Sequence, residues 1–317
     1  MTAIAETDTS AAEKPRNGSA QPFSAFERLV AWRYLRPRRK EAAVSIVTII
    51  SLVGVTLGVA ALIIVMAVMN GFRQELLSRI LGVNGHLTVF SNGEAIQNFD
   101  DVAQRLTSIE GVVSVTPQVQ GQVMVTVEGS ATGALVRGLR PEDVAARPIL
   151  ADNIVAGSLE AYGQDDGILI GRRLAQTLGV WVGDRITLVS PSGNTTVIGT
   201  VPRLKSYRIA ALFDVGMFEY DNGFIYMPLD AAQLFYRLPQ AVNAIEVFVG
   251  DPDNTEDTRF ALQSELGAGF RTVDWQRSNA AFFGAIQTER NVMFVILSLI
   301  IVVAAFNVIS GQTMLVK

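Results

Sequence analysis

Two stretches of this chain carry no charge at all. Ala42 to Phe72 is 31 residues without Asp, Glu, Lys or Arg, and Asn291 to Val316 is another 26. An apolar helix needs about 20 residues to cross the hydrocarbon core of a bilayer. A core helix of a soluble protein rarely exceeds that length or stays apolar all round. The two runs predict two transmembrane helices, and a mean hydropathy of +0.32 fits that class. The first run is too long for the apolar region of a cleavable signal, and 41 residues precede it. It reads as an anchor.

Charge sets the orientation. Arg28, Arg33, Arg36, Arg38, Arg39 and Lys40 precede the first run with no acid among them, whereas Arg73 to Arg290 carries 17 basic and 25 acidic residues, a net of −8. Positive flanks stay cytoplasmic. The middle region is expected outside, with Lys317 back in the cytoplasm.

The organisation expected from these patterns is a disordered cytoplasmic tail (1–22), an amphipathic flank (23–41) and a first span (42–70). A stalk (71–82) leads to an exported α+β domain (83–274) with a β-rich insertion at about 130–240. A second stalk (275–290), a second span (291–315) and a cytoplasmic end (316–317) follow. In the flank, Phe23, Phe26 and Val30 share one face of a short helix, a pattern that suits a membrane interface. Gly54 and Gly58 form a GxxxG step that lets another helix approach closely.

The stalk assignments rest on periodicity. Phe72, Leu76 and Ile80 recur every four residues with Leu77 and Leu81 beside them, and Glu75 and Arg79 form a favourable i,i+4 pair. Gly82 is the expected C-cap. Trp275, Asn279, Phe282, Ile286 and Met293 keep roughly heptad spacing into the second uncharged run. Between the stalks, helices are expected at Val102–Ile109, Arg172–Leu178, Ala231–Tyr236 and Thr255–Glu265. Strands are expected at Val112–Val115, Gln122–Glu128, Ala134–Leu139, Gly167–Ile170, Arg185–Ser190, Tyr207–Phe213, Gly223–Met227, Ala244–Val249 and Phe270–Val273.

Catalytic chemistry has little to work with. The chain has no Cys, which excludes thiol catalysis and Cys-held metals, and its one His leaves no His cluster for a metal. His86, opening the strand-like "HLTVF", reads as a surface or strand residue rather than a ligand. No G-x-x-x-x-G-K-[ST] occurs, so the chain supplies no P-loop, and "GSATG" places Ser wrongly for a nucleophile elbow. Asp165-Asp166 and Glu142-Asp143 read as solvated loop acids. The basic cluster abuts a span and does not argue for nucleic acid. No enzyme, cofactor or metal is expected.

Four segments carry a resemblance: "RYLRPRRK" (Arg33 to Lys40), "GVTLGVAALIIVMAVMNGF" (Gly54 to Phe72), "LGVWVGDRITLVSP" (Leu178 to Pro191) and "MFVILSLIIVVAAFNVISG" (Met293 to Gly311). Together they resemble the LolC/LolE family, membrane subunits of the lipoprotein-releasing ABC transporter, within the wider class of MacB-like mechanotransmitting permeases. The resemblance implies a MacB-like periplasmic core and a separate LolD-like ATPase. It also implies a second LolC/LolE-like permease subunit or a second copy, a triacylated lipoprotein substrate, and the periplasmic chaperone LolA. On that reading Met66, Met69, Phe72, Leu76, Phe283, Ile286, Met293 and Phe294 contact membrane lipid or the lipoprotein's acyl chains, or pack helix on helix. The stretch Ser190 to Ile209 corresponds to a chaperone-binding hairpin, with Pro191, Pro202, Arg203, Lys205 and Arg208 as its contact residues. The family continues beyond a second span, so the chain reads as truncated at Lys317. Other readings of two spans around an α+β domain are a membrane sensor, a drug- or peptide-exporting permease, and a cell-division permease.

Overall fold

The computed structural model describes residues 25–35, 42–196 and 199–316. The 1–22 tail, the basic residues Arg36 to Lys40 and Lys317 lie outside the described residues. The chain divides into two units, Met1–Met66 with Val292–Lys317, and Ala67–Asn291.

The first unit holds α1 (Ala25–Leu35) and most of the apolar lengths of two long helices, α2 (Ala42–Val83) and, at the other end of the chain, a helix covering Ala280–Val316. The segments Leu52–Val83 and Ile286–Ser310 are long and apolar enough to cross a membrane. The helical part of the expected flank is α1, and Phe23 of its expected apolar face lies outside the described residues.

The second unit is mixed. After α2 come β1 (Leu87–Ser91), β2 (Ile96–Gln97), α3 (Phe99–Thr107), β3 (Val112–Val127) and β4 (Ser130–Leu139). Next are α4 (Pro141–Ala145), α5 (Pro148–Ala151), β5 (Ile154–Gly157), β6 (Gly167–Gly171), α6 (Arg172–Leu178), β7 (Arg185–Thr196) and β8 (Gly199–Phe213). They are followed by α7 (Phe218–Gly223), β9 (Phe224–Pro228), α8 (Leu229–Tyr236), β10 (Ala241–Val242), β11 (Ala244–Val249), α9 (Glu256–Leu266), β12 (Phe270–Asp274), α10 (Trp275–Ser278) and α11 (Ala280–Val316).

One long strand organises this unit. The first half of β3 pairs with β11, which continues through β1 to β12, all antiparallel. Its second half pairs with both β4 and β7. From there the pairing runs β4–β9–β6–β8–β7 and returns to β3, a closed ring of six strands. The sequence marks two separate strands at Val112–Val115 and Gln122–Glu128; they are one strand shared by the two lobes. The barrel therefore takes in residues that precede 130.

Burial explains which patterns the sequence carries. Inside the ring lie Val123, Val125, Val136, Ile168, Ile170, Ile186, Leu188, Tyr207, Ile209, Ile225 and Met227. Alternate residues of the same strands, Leu139, Leu169, Ala210, Phe213 and Tyr226, face a second core outside it. A strand buried on both faces reads as a continuous apolar run, which is why β6 is "GILIG" rather than an alternation. Ile80, Val83, Leu150, Tyr220 and Trp275 complete the second core.

Both connections to the apolar runs meet at one place. Antiparallel β1 and β12 pair Leu87 with Asp274, and the Trp275 amide donates to the His86 carbonyl at 3.0 Å. His86 is buried, correcting the surface alternative, and its Nδ1 accepts from the Val249 amide at 3.0 Å. The expected second stalk is broken: α10 ends at Ser278, the Asn279 side chain that follows it donates to the Trp275 carbonyl, and α11 starts at Ala280.

The end of β6 leaves no room for a side chain. A Cβ on Gly171 would sit 2.1 Å from the Asp221 carbonyl oxygen, whereas one on Gly133 meets nothing within 4 Å. Gly171→Ala is expected to lower the unfolding free energy by about 3 kcal/mol, and Gly133→Ala to change it by less than about 0.5 kcal/mol. Denaturant unfolding of the two purified variants checks the contrast.

Candidate functional site

The helix α2 does not stop at Gly82. It runs to Val83, with Ile80 and Val83 buried and Leu76, Leu77 and Leu81 half-buried against the outer core of the barrel. Gly82 does not take the left-handed conformation of a helix-ending glycine. Its need is for space: a Cβ there would lie 2.8 Å from Ile149 Cδ1. Gly85 is similarly tight, with Glu246 Cβ 2.8 Å from where its own Cβ would be.

The end of α2 is capped from a distance. Arg137 of β4 donates from Nη1 to the Val83 carbonyl at 3.1 Å and from Nη2 to Asn84 Oδ1 at 2.6 Å. Arg147, between α4 and α5, also donates to the Val83 carbonyl, at 3.4 Å. Glu246 of β11 binds both guanidiniums, Arg147 at 2.7 Å and Arg137 at 3.3 Å. All three side chains are at most 7% exposed. Phe224 lies under Arg137 and Phe248 under Arg147, so aromatic faces complete the enclosure.

Electrostatics explains why these charges tolerate burial. Burial alone opposes the charged form of each group. Arg147 and Arg137 nevertheless hold the Glu246 carboxyl below its ordinary pKa, and Glu246 helps hold Arg137 above its own. Two positive charges and one negative leave a surplus of +1. The C-terminus of a helix presents about half an elementary charge of negative sign, and the Val83 carbonyl aims it at both arginines. Unpaired ions in such a site cost several kcal/mol each. The helix end is thus part of the charge balance of the cluster.

Neighbouring contacts fix the last turns of α2 further. Asn84 Nδ2 donates to the Tyr220 hydroxyl, and Arg79 donates to the Val215 carbonyl at 2.6 Å as well as to Glu75. The Val215 amide in turn donates to Asp221 Oδ1 at 2.8 Å. Burial, with Asp214 beside it, pushes the Asp221 carboxyl up to about 6.

The residues expected to act fall into three groups. Met66, Met69, Phe72 and Phe294 are exposed, Ile286 and Met293 half-exposed, and Leu76 packs on the outer core of the barrel; the Phe283 side chain lies outside the description. Among the described residues, nothing lies within 4 Å of a Cβ built on Gly54 or Gly58.

The hairpin of β7 and β8 is paired out to Thr196 and Gly199, with a register shift between Ser190 and Asn194. Pro191 and Pro202 are exposed. Two of its basic residues are occupied within the domain: Arg203 donates to the Phe235 carbonyl at 2.7 Å and Lys205 pairs with Asp166 at 2.8 Å, while Arg208 stands opposite Arg185. Along its base Met124 and Leu204 are exposed and Val189 is half-exposed. Met124, Val189 and Leu204 stand opposite one another across β3, β7 and β8, and the sequence reading missed that row. The Arg137–Glu246–Arg147 cluster was missed as well. Its one sequence signal is an acid inside the apolar strand "AIEVFV".

Among the described residues no group of three His, Cys, Asp or Glu could hold a metal ion.

Comparison with known proteins is consistent over most of the chain. The family model of the MacB-like periplasmic core domain matches residues 48–265. The lipoprotein-releasing system transmembrane protein LolC of Neisseria meningitidis is 34% identical over 294 residues, covering 91% of this chain and 71% of the relative. The LolC of Xylella fastidiosa is 31% identical over 93% of this chain and 71% of its own length. The LolE of Haemophilus influenzae is 26% identical over 91% and 70%. The periplasmic region of MacB from Actinobacillus actinomycetemcomitans, a solved structure, is 13% identical with a TM-score of 0.41, covering 62% of this chain and 91% of that structure.

Two outcomes follow for stability. Glu246→Ala leaves two buried guanidiniums facing each other and is expected to cost about 3–5 kcal/mol, read by denaturant unfolding. Asp221 binds its proton more tightly folded than unfolded. Stability is therefore expected to fall as pH rises from its ordinary value near 4 through about 6. Asp221→Asn should flatten that slope in a pH series of thermal melts.

Proposed function

The chain belongs to the LolC/LolE family of lipoprotein-releasing transmembrane proteins and carries its MacB-like periplasmic core, and from that premise we propose that it is a permease subunit which extracts outer-membrane lipoproteins from the inner membrane and passes them to a periplasmic chaperone. In this reading the N-terminus is cytoplasmic, α2 and α11 span the inner membrane, and the domain between them is periplasmic. ATP is hydrolysed on a separate LolD-like subunit. A second LolC/LolE-like subunit, or a second copy of this chain, completes the path through the bilayer.

Acyl chains need an apolar route, since each CH₂ exposed to water costs about 0.8 kcal/mol. Met66, Met69, Phe72, Ile286, Met293 and Phe294 offer apolar surface on the two helices for lipid and lipoprotein. The chaperone, a LolA-like protein, would dock on the β7–β8 hairpin. Pro191, Pro202, Arg208 and the row Met124, Val189 and Leu204 are its contacts, while Arg203 and Lys205 brace the hairpin's base.

The observation that carries the transmission part of this reading is the unbroken run of α2 from Ala42 to Val83. A flexible linker dissipates a push; a helix rising about 1.5 Å per residue delivers it. Inserting a Gly-rich segment after Phe72 is expected to abolish lipoprotein release by the complete transporter while leaving membrane insertion intact. Release that survives the insertion would contradict transmission through α2. Crosslinking from Pro191 or Pro202 in cells is expected to capture a LolA-like chaperone, and capture of an outer-membrane channel partner instead would favour an efflux permease of the same architecture.

A further inference from the structure

The buried cluster at the end of α2 does more than cap a helix. It joins side chains from both lobes at one point. Arg137 stands on the barrel strand β4, Glu246 on β11 of the other lobe, and Arg147 between α4 and α5. The two arginines donate to the last carbonyl of α2, and Glu246 bridges them. The meeting point lies where β3 passes from one lobe to the other, because β3 pairs with both β11 and β4.

The helix end also offsets part of the cluster's surplus positive charge. Withdrawing Val83 leaves a buried +1 with no helix end to face it. The chain end packs closely there as well, since a side chain at Gly82 or Gly85 would meet Ile149 or Glu246. Arg79 and Asn84 add holds at Val215 and Tyr220.

We propose that Arg137 and Arg147, bridged by Glu246, are positioning residues that grip the end of α2, so that displacement of the helix moves both lobes of the domain together. The proposal rests on the reading of the chain as a permease subunit whose α2 carries motion outward. It makes the grip, rather than the helix alone, the coupling between ATP hydrolysis and lipoprotein release.

Replacing a buried ion cluster with apolar residues of similar volume often leaves stability unchanged or raised. A triple variant, Arg137→Met with Arg147→Met and Glu246→Leu, can therefore stay folded while losing every hold on the Val83 carbonyl. The test uses the complete transporter in proteoliposomes, a triacylated lipoprotein as substrate and the soluble chaperone as acceptor. It measures lipoprotein released per ATP hydrolysed, with a thermal melt of each variant. The triple variant is expected to keep ATP hydrolysis within about twofold and to lose about tenfold in release per ATP.

A covalent replacement for the grip should restore coupling. The chain has no cysteine, and a Cβ on Gly82 lies 3.4 Å from Ile149 Cβ, at the short edge of the range of about 3.5–4.5 Å that a disulfide spans. Adding Gly82→Cys and Ile149→Cys to the triple variant is expected to recover release when oxidised and lose it again on reduction. A merely structural cap predicts no such redox dependence in a folded protein.

If the triple variant does not fold, Arg147→Lys keeps the charge but loses the fork shared between Glu246 and Val83, and a loss of about threefold in release per ATP is expected. A folded triple variant, or a folded Arg147→Lys, that releases lipoprotein as the unaltered transporter does would overturn the grip. If the unaltered transporter releases no lipoprotein, the permease reading falls and the grip falls with it.

Discussion

One carbonyl oxygen organises this molecule. The Val83 carbonyl ends a 42-residue helix and receives two buried arginines that a single glutamate holds together. The helix end offsets about half an elementary charge of the cluster's surplus positive charge, so α2 and the two lobes of the domain share one electrostatic site. The surrounding apolar contacts of Ile80, Val83, Leu150 and Tyr220 supply the non-directional part of the attachment. The arginine fork supplies direction, because two guanidiniums and a carboxylate fit one arrangement. A burial-driven contact alone would permit sliding; this one does not.

The barrel gives that attachment something stiff to act on. A ring of six strands leaves its own members no free edge, and β3 runs through it into the neighbouring four-strand array. The β7–β8 hairpin grows from the same ring, so its base is braced by Arg203 and Lys205 while its exposed prolines and the apolar row across Met124, Val189 and Leu204 face outward. The two connections to the apolar helices are not equivalent. α2 meets the domain as a continuous helix, whereas the return path is interrupted at Asn279 between α10 and α11.

Local signals in the sequence are legible where one residue type or one period decides the outcome. The absence of charge from Ala42 to Phe72 and from Asn291 to Val316 marks the two apolar helices directly. Continuous or alternating apolar residues mark β6, β9 and β11, because each is buried on one or both faces. What could not be read depends on residues far apart. Gly82 looks like a helix terminator, yet its role is clearance for Ile149, and the true terminators, Arg137 and Arg147, lie more than 50 positions away. Glu246 looks anomalous in "AIEVFV" until its partners are brought beside it. The break at Asn279 falls in a run with roughly heptad spacing, with no Pro and its one Gly, Gly284, five positions further on, so the spacing does not announce it. The basic residues of the hairpin look available for a partner in sequence, but Phe235 and Asp166 occupy two of them in the fold.

The dependence of the domain on its charge cluster is open to direct measurement by a double-mutant cycle. Arg147→Met, Glu246→Gln and the pair together are compared by denaturant unfolding of the purified chain. A cooperative cluster predicts that the double variant loses less than the sum of the single losses, by more than about 1.5 kcal/mol. Losses that add to within about 0.5 kcal/mol would show that the two side chains act independently, and would contradict the view that one buried ionic unit holds the helix end to the domain.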